Sequence, residues 1–251
     1  GPVFCLPAIA TQGWHTQKIE NGTFEEDWMV QVTSTNGLDS VVKEKFKQDT
    51  KTMLDKAKEN PLEQILRDSV NSNIPKIMEK CAQLKKAIFM ITGLQGIGKS
   101  FFCEQLSKLG VKIVSADTFM GLEFNPELLT DCHHRCQLAC LELSEQGFCV
   151  AVDNTNGKRQ DCSIYESIAE ATGAELVPIV LAPELWLNTT LPERVKLVDL
   201  LENRCLIRET QTGKRIERKV IERTLANALK DFKLTTGKNA GPDTTEEEIL
   251  S

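Results

Sequence analysis

Residues 87–100 read AIFMITGLQGIGKS, an apolar run that gives way to glycines and ends on a lysine and a hydroxyl. Four positions fit the pattern G-x-x-x-x-G-K-[ST], namely Gly93, Gly98, Lys99 and Ser100. In that pattern backbone N–H groups surround a phosphate, the lysine reaches the β- and γ-oxygens, and the hydroxyl binds Mg²⁺. The residues before the loop suit a buried strand, and residues 101–109 suit an amphipathic helix whose N-terminus favours anions. A chance glycine-lysine turn is the alternative. Because the motif requires the order strand, loop, helix, we expect a triphosphate-binding loop.

The composition is that of an ordinary globular protein, with 41% hydrophobic and 26% charged residues among 251. No apolar run approaches the ~18 residues that a membrane span needs, so we expect no membrane association. The net charge of −6 argues against general nucleic-acid binding, and such a substrate would need a local basic patch. The 9 cysteines include no C-x-x-C pair, which favours reduced thiols and a cytoplasmic or nuclear compartment.

Three cysteines, Cys132, Cys136 and Cys140, share one face of a predicted helix beside His133. A zinc cluster is one interpretation of this spacing. A face packed on the core is the stronger interpretation, because zinc ligands usually lie two to four residues apart around a turn.

The segment before the loop carries apolar side chains at three- and four-residue spacing, which predicts helices at 38–59, 61–71 and 75–85. Pro61 and Pro75 each suit the first turn of a helix. These helices would form a small accessory domain or an arm laid on the core, with packing or binding of a protein partner through residues 38–86 as the expected role. A short alternating segment at 28–33 predicts a strand. We therefore divide the chain into a mainly helical accessory segment at 1–86, a core domain at 87–232, and a polar tail at 233–251 that we expect to be disordered.

Strands and helices alternate after the loop. Apolar segments predict strands at 111–115, 148–152 and 175–181, and amphipathic stretches predict helices at 126–146, 159–172, 191–207 and 217–232. This alternation predicts an α/β fold with a parallel sheet flanked by helices. Within the last strand, Pro178 indicates an edge position or a bulge.

Two aspartates directly follow predicted strands, Asp117 after 111–115 and Asp153 after 148–152. Ligands of open parallel sheets lie off the carboxyl ends of the strands, so both carboxylates are expected at the mouth of the site. Asp is also a common helix N-cap, which is the structural alternative for each.

Residues 87–232 resemble the P-loop polynucleotide 5′-hydroxyl kinases. The resemblance rests on GLQGIGKS at 93–100, SADTF at 115–119, L-x-x-C-H-x-x-C at 129–136, VDNTN at 152–156, and an arginine-bearing helix before a glycine turn at 204–213. It implies a P-loop kinase fold and an enzyme that uses ATP or GTP with Mg²⁺ to phosphorylate the 5′-hydroxyl end of RNA or DNA.

The resemblance also assigns roles to residues. It makes Asp117 the general base for the acceptor hydroxyl and Lys99 a catalytic residue that serves the donor triphosphate. It assigns charge stabilisation at the transferring phosphoryl group to an arginine of the helix that precedes the glycine turn. Arg204 and Arg208 lie one turn apart, and Arg204 ranks slightly ahead, although a solvated basic helix explains both. The donor is expected to contact Gly93, Gly96, Gly98, Lys99, Ser100 and Phe101. The acceptor is expected to contact Asp117, Asp153, His133 and Asn156, with His133 equally suited to ordering the core. Mg²⁺ is expected at Ser100 and at Asp153, either directly or through water.

Two features of the sequence leave the identity of the phosphate acceptor undecided. Position 120 is methionine, where relatives that act on nucleic acid often carry arginine. A basic cluster suits nucleic-acid phosphates, but its interspersed glutamates would equally form i, i+4 pairs on solvated helices. Its members are Arg204, Arg208, Lys214, Arg215, Arg218, Lys219 and Arg223. A kinase for a small molecule, or a nucleotide-binding module that recruits a partner, are therefore the alternatives.

Overall fold

A computed structural model describes residues 59–83, 86–121, 124–156 and 159–250, together with residues 48, 51, 52 and 55. The strand predicted at 28–33 lies outside the described residues, as does most of the helix predicted at 38–59. No helix in the described part of the chain combines the length and apolar character needed to cross a membrane.

The centre of the described chain is a four-stranded sheet in which every pairing is parallel. Its strands are β1 (Ala87–Thr92), β2 (Lys112–Val114), β3 (Val150–Val152) and β4 (Glu175–Val180), in the spatial order β2-β3-β1-β4. The two interior strands are the most apolar, since β1 and β3 are covered on both faces by helices. Pro178 lies in β4 at the sheet edge, where a missing N–H costs no ladder bond. The predicted α/β class with a parallel, helix-flanked sheet is confirmed.

Helices connect and flank the strands. They are α1 (Pro61–Asn71), α2 (Asn73–Gln83), α3 (Lys99–Lys108), α4 (Ala116–Met120), α5 (Leu129–Glu145), α6 (Arg159–Thr172), α7 (Pro183–Trp186), α8 (Leu191–Thr212), α9 (Arg218–Thr236) and α10 (Glu246–Leu250), with a 3₁₀ turn at Pro126–Leu128. The start of α1 follows from its sequence, because the Asn60 side chain accepts a hydrogen bond from Leu62 N at 3.0 Å and Pro61 occupies the first turn.

Alternate side chains of β1 enter two different cores, as the period-2 geometry of a strand requires. Phe89 and Ile91 pack in the first core, and Ile88 and Met90 pack in the second. The second core also contains Cys132, Cys136 and Cys140, all buried. Their predicted core role is thereby confirmed, and no group of metal-ligating side chains occurs among the described residues.

The helices before the sheet belong to the first core. Leu66 of α1 and Ile77 of α2 are fully buried in the same cluster as Phe89. These two helices are therefore laid on the sheet domain and share its hydrophobic interior, as in the arm interpretation.

The residues after 232 include helical segments, whereas the sequence predicted a disordered tail from residue 233. Helix α9 continues to Thr236, and Ile249 of α10 packs against the first core. Lys238 Nζ lies 2.6 Å from Glu248 Oε1, which closes the turn between the two helices.

Candidate active site

The loop at 93–100 connects β1 to α3, in the order that its motif requires. Gly96 and Gly98 have φ values of +80° and +111°, a region that favours glycine. Gly98 precedes the first helical residue, Lys99, and its carbonyl accepts a hydrogen bond from Phe102 N at 2.9 Å. A Cβ on Gly96 would lie 2.8 Å from Leu201 O, so the loop passes directly against α8.

Lys99 is a part-buried cation of this loop. Its Nζ donates to the carbonyl oxygens of Gly93 at 2.8 Å and Leu94 at 3.1 Å. Burial lowers the pKa of Lys99 to about 8, and the Asp153 carboxylate opposes that shift. An anion near Nζ would restore the electrostatic stabilisation that burial removes, so the geometry suits a phosphate ligand.

Asp153 lies just beyond the carboxyl end of β3, as predicted. Its backbone N–H donates to Val114 O at 2.8 Å, which fixes it beside the end of β2. Burial raises the pKa of Asp153, while the positive charges of Lys99 and Arg208 act in the opposite direction. Lys99, Asp153 and Arg208 therefore form one electrostatic group off the carboxyl edge of the sheet.

The two candidate arginines on α8 have different surroundings. Arg208 Nη2 donates to Ser100 Oγ at 3.3 Å, so this arginine reaches the hydroxyl predicted to bind Mg²⁺. Arg204 is only 22% exposed, and its Nη1 lies 3.9 Å from Glu63 Oε1. Its Nη2 lies 3.8 Å from the position of a Cβ on Gly98. One turn of helix thus separates an arginine at the open side of the loop from one enclosed behind it.

Asp117 occupies the first turn of α4, off the carboxyl end of β2. Its backbone N–H donates to Ser115 Oγ at 3.3 Å, so Ser115 rather than Asp117 caps this helix. The Asp117 side chain is 66% exposed, and Lys214 Nζ lies 2.5 Å from its Oδ2. Asn154 Oδ1 accepts a hydrogen bond from Ala116 N at 2.9 Å, which ties the end of β3 to the start of α4. The two predicted carboxylates therefore leave neighbouring strands at the same edge.

Three other predicted site residues have different surroundings. Asn156 is buried, and its Nδ2 donates to Ile91 O at 2.9 Å and Val152 O at 3.2 Å, so its amide joins the ends of β1 and β3. His133 is half-buried on α5, and no described hydrogen bond or ion pair connects it to the loop. Phe101 is exposed on the first turn of α3.

The basic cluster is partly neutralised within the chain. Arg218 lies 2.6 Å from Asp199, 2.8 Å from Glu202 and 2.9 Å from Glu222. These carboxylates raise the pKa of Arg218 further. Lys219 Nζ lies 2.6 Å from Glu217 Oε2. The alternative of ion pairs on solvated helices thus describes Arg218 and Lys219.

Two residues at the site were missed by sequence reasoning. Lys214 belonged to the basic cluster, but nothing in its local pattern connects it with Asp117, 97 positions earlier. Glu63 carries no motif, and a glutamate in the first turn of a helix is commonplace. Its burial against Arg204 depends on how α1 packs on α8.

No family model matches the chain, and no curated protein matches it. Among solved structures, a chain from "Structure of the Pnkp1/Rnl/Hen1 RNA repair complex" is similar over 65% of this protein, with 19% sequence identity and a TM-score of 0.49. This protein covers 50% of that chain. A likeness this distant assigns no activity to this protein.

Proposed function

We propose that this protein is a polynucleotide 5′-hydroxyl kinase, which transfers the γ-phosphoryl group of ATP or GTP to the 5′-hydroxyl end of RNA or DNA. The observation that carries the proposal is the placement of Lys99, Ser100 and Asp153 directly after the carboxyl ends of β1 and β3. Arg208 donates to Ser100 Oγ at 3.3 Å, and Asp117 follows the adjacent strand β2. The loop fits a triphosphate, because Lys99 is enclosed and its ammonium is satisfied by two loop carbonyls that a phosphate would replace.

The donor would be held by backbone N–H groups of residues 93–100 and by Lys99. Ser100 and Asp153 would hold Mg²⁺, which neutralises phosphate charge when bound. Arg208 would stabilise negative charge on the transferring phosphoryl group, since its guanidinium already reaches Ser100.

Asp117 would accept the proton of the acceptor hydroxyl. As the hydroxyl oxygen bonds to the γ-phosphorus, the bond to the β–γ bridging oxygen breaks, and the nucleoside diphosphate leaves with that electron pair. Lys214 occupies Oδ2 of Asp117, so the proton would go to Oδ1. The exposed position of Asp117 suits an acceptor that arrives from outside, such as a polynucleotide end.

The test measures transfer of labelled γ-phosphate to RNA and DNA oligonucleotides that carry a 5′-hydroxyl. Asp117→Asn should lower kcat by about 10²- to 10⁴-fold, because it removes a general base while preserving shape. Its affinity for Mg·ATP should stay unchanged. Asp131→Asn is the matched control, since Asp131 is an exposed acid paired with Arg135 on α5. Wild-type transfer by Asp117→Asn would refute the assigned base.

A small-molecule kinase is the second candidate, favoured by the internal ion pairs of Arg218 and by methionine at position 120. Both features reduce the basic surface available to a nucleic acid. A metabolite panel tested in competition with the oligonucleotide separates the two acceptors. Binding of Mg·ATP without phosphorylation of either would favour the partner-recruiting module.

A further inference from the structure

Helix α1 carries a buried carboxylate, Glu63, which has no part in the donor, metal or acceptor contacts proposed above. Glu63 has a side chain only 9% exposed, although it lies in the first turn of a helix at the outside of the sheet domain. Arg67 Nε donates to its Oε1 at 3.0 Å from the next turn. A carboxylate is rarely buried without a partner, because removing its charge from water is costly. The partner that explains this burial lies on another helix.

That partner is Arg204 of α8, whose Nη1 is 3.9 Å from Glu63 Oε1. Two atoms of the pair, Glu63 Oε2 and Arg204 Nη1, are buried and make no hydrogen bond with the described residues. Burial lowers the pKa of Arg204, and Glu63 is the principal group that opposes this shift. The two charges thus hold each other in place without a saturated set of hydrogen bonds.

The other end of Arg204 faces the phosphate-binding loop. Its Nη2 is 3.8 Å from the point where a Cβ of Gly98 would lie. Gly98 directly precedes α3, whose first N–H groups face the expected phosphate. Arg204 therefore adds positive charge behind the expected anion site, and its ion-pair partner Glu63 lies 141 positions earlier in the chain.

We propose that Glu63 is a positioning residue of the nucleotide site: it holds Arg204 against Gly98, and it thereby couples the seating of helix α1 on the core to the binding of a nucleoside triphosphate. The inference rests on the proposed function for the identity of this ligand. It makes α1 part of the nucleotide site and gives Arg204 a role behind the loop, distinct from that of Arg208.

The direction in which Kd for Mg·ATP changes in Glu63→Gln distinguishes a positioning role of Glu63 from a direct effect of its charge on the ligand. Glu63→Gln removes a negative charge near an anion site, which by itself would tighten Mg·ATP binding. Positioning predicts the opposite, because a released guanidinium no longer supports the loop. We expect Kd for Mg·ATP, measured by calorimetry on the full chain, to rise about tenfold, which corresponds to about 1.4 kcal/mol of lost binding free energy. The kcat at saturating nucleotide should change little.

Asp68→Asn is the matched control, since it removes a charge from the same helix, and the Asp68 side chain accepts a hydrogen bond from Gln64 of that helix at 2.7 Å. Its Kd should equal that of wild type. In an Arg204→Met background, Glu63→Gln should leave Kd unchanged, which a purely structural effect of Glu63 would not produce. Additive effects of the two substitutions, or tighter binding by Glu63→Gln, would overturn the inference.

Hydrogen exchange on the wild-type protein keeps the test decisive if the Glu63 variant does not fold. Coupling is reciprocal, so Mg·ATP should slow exchange of the amides in α1. Unchanged exchange on saturation would overturn the inference while leaving the proposed function standing. Wild-type protein that binds no Mg·ATP would refute the proposed function as well as the coupling. Binding without transfer would refute only the kinase activity.

Discussion

The close approach of Gly96 to helix α8 predicts how much stability one methyl group can remove. Gly96 has a φ of +80°, and a Cβ there would lie 2.8 Å from Leu201 O and 3.0 Å from Cys205 Sγ. An L-residue in this backbone region costs about 1 kcal/mol. Overpacking against a fixed backbone adds about 1–3 kcal/mol. Gly96→Ala should therefore lower the free energy of unfolding by about 2–4 kcal/mol, which sums these two costs.

Gly110 provides a matched control, because its φ of +87° is similar and no atom of the described residues lies within 4 Å of its Cβ position. Gly110→Ala should cost only the backbone strain of about 1 kcal/mol. Urea unfolding followed by circular dichroism measures both variants, with the slope m expected to stay constant.

Equal losses from the two substitutions would refute the close approach of the loop to α8. A second readout on the same proteins is the affinity for Mg·ATP. Gly96→Ala should weaken it, since the loop must shift away from Leu201 to admit the methyl group, whereas Gly110→Ala should not. Unchanged affinity in Gly96→Ala would show that the loop geometry tolerates this shift.

Three further predictions concern charge and hydrogen bonding. The pKa of Lys99 is about 8, so its ammonium loses its charge as the pH rises through this value. The Kd for Mg·ATP should then rise by up to about tenfold per pH unit. Calorimetric titrations between about pH 6.5 and 9.5 should show this dependence in the wild-type protein and not in Lys99→Met. Asn156→Asp should lower the free energy of unfolding in urea by about 1–3 kcal/mol at neutral pH, because a carboxylate would replace the amide that donates to the carbonyls of Ile91 and Val152. An unchanged free energy of unfolding would contradict these two buried hydrogen bonds. Arg218→Ala should leave Mg·ATP affinity at the wild-type value, since its guanidinium is bound by three carboxylates; a weakened Kd would show that Arg218 reaches the ligand.

Local pattern was enough to predict the elements that deliver the site. The run at 87–100 predicted a strand, a loop and a helix, because its apolar residues, glycines and lysine are contiguous and each acts on neighbouring backbone. Pro61 marked the start of α1 for the same reason, since its fixed φ suits the first turn of a helix. Asp117 and Asp153 could be placed at one edge because parallel strands bring their carboxyl ends together.

Spacing on a helix could not distinguish Arg204 from Arg208. Residues four apart share a face, but the neighbours of each depend on what packs against that part of the helix. Arg204 pairs with Glu63 of α1, whereas Arg208 donates a hydrogen bond to Ser100 of α3. Asn156 shows the same limit, because no local pattern indicated that its amide donates to carbonyls at the ends of two strands.

The sequence by itself determined that the chain forms a parallel α/β sheet and that a glycine-rich loop connects its first strand to a helix, since periodicity, caps and glycines act over a few residues. Only the tertiary structure decided that Lys214 pairs with Asp117, that Glu63 pairs with Arg204, and that β3 lies between β2 and β1 in the sheet. These pairings join residues tens of positions apart or more, and they depend on how whole helices and strands pack. No local pattern encodes that packing, because the free energy that selects it is shared across the entire core.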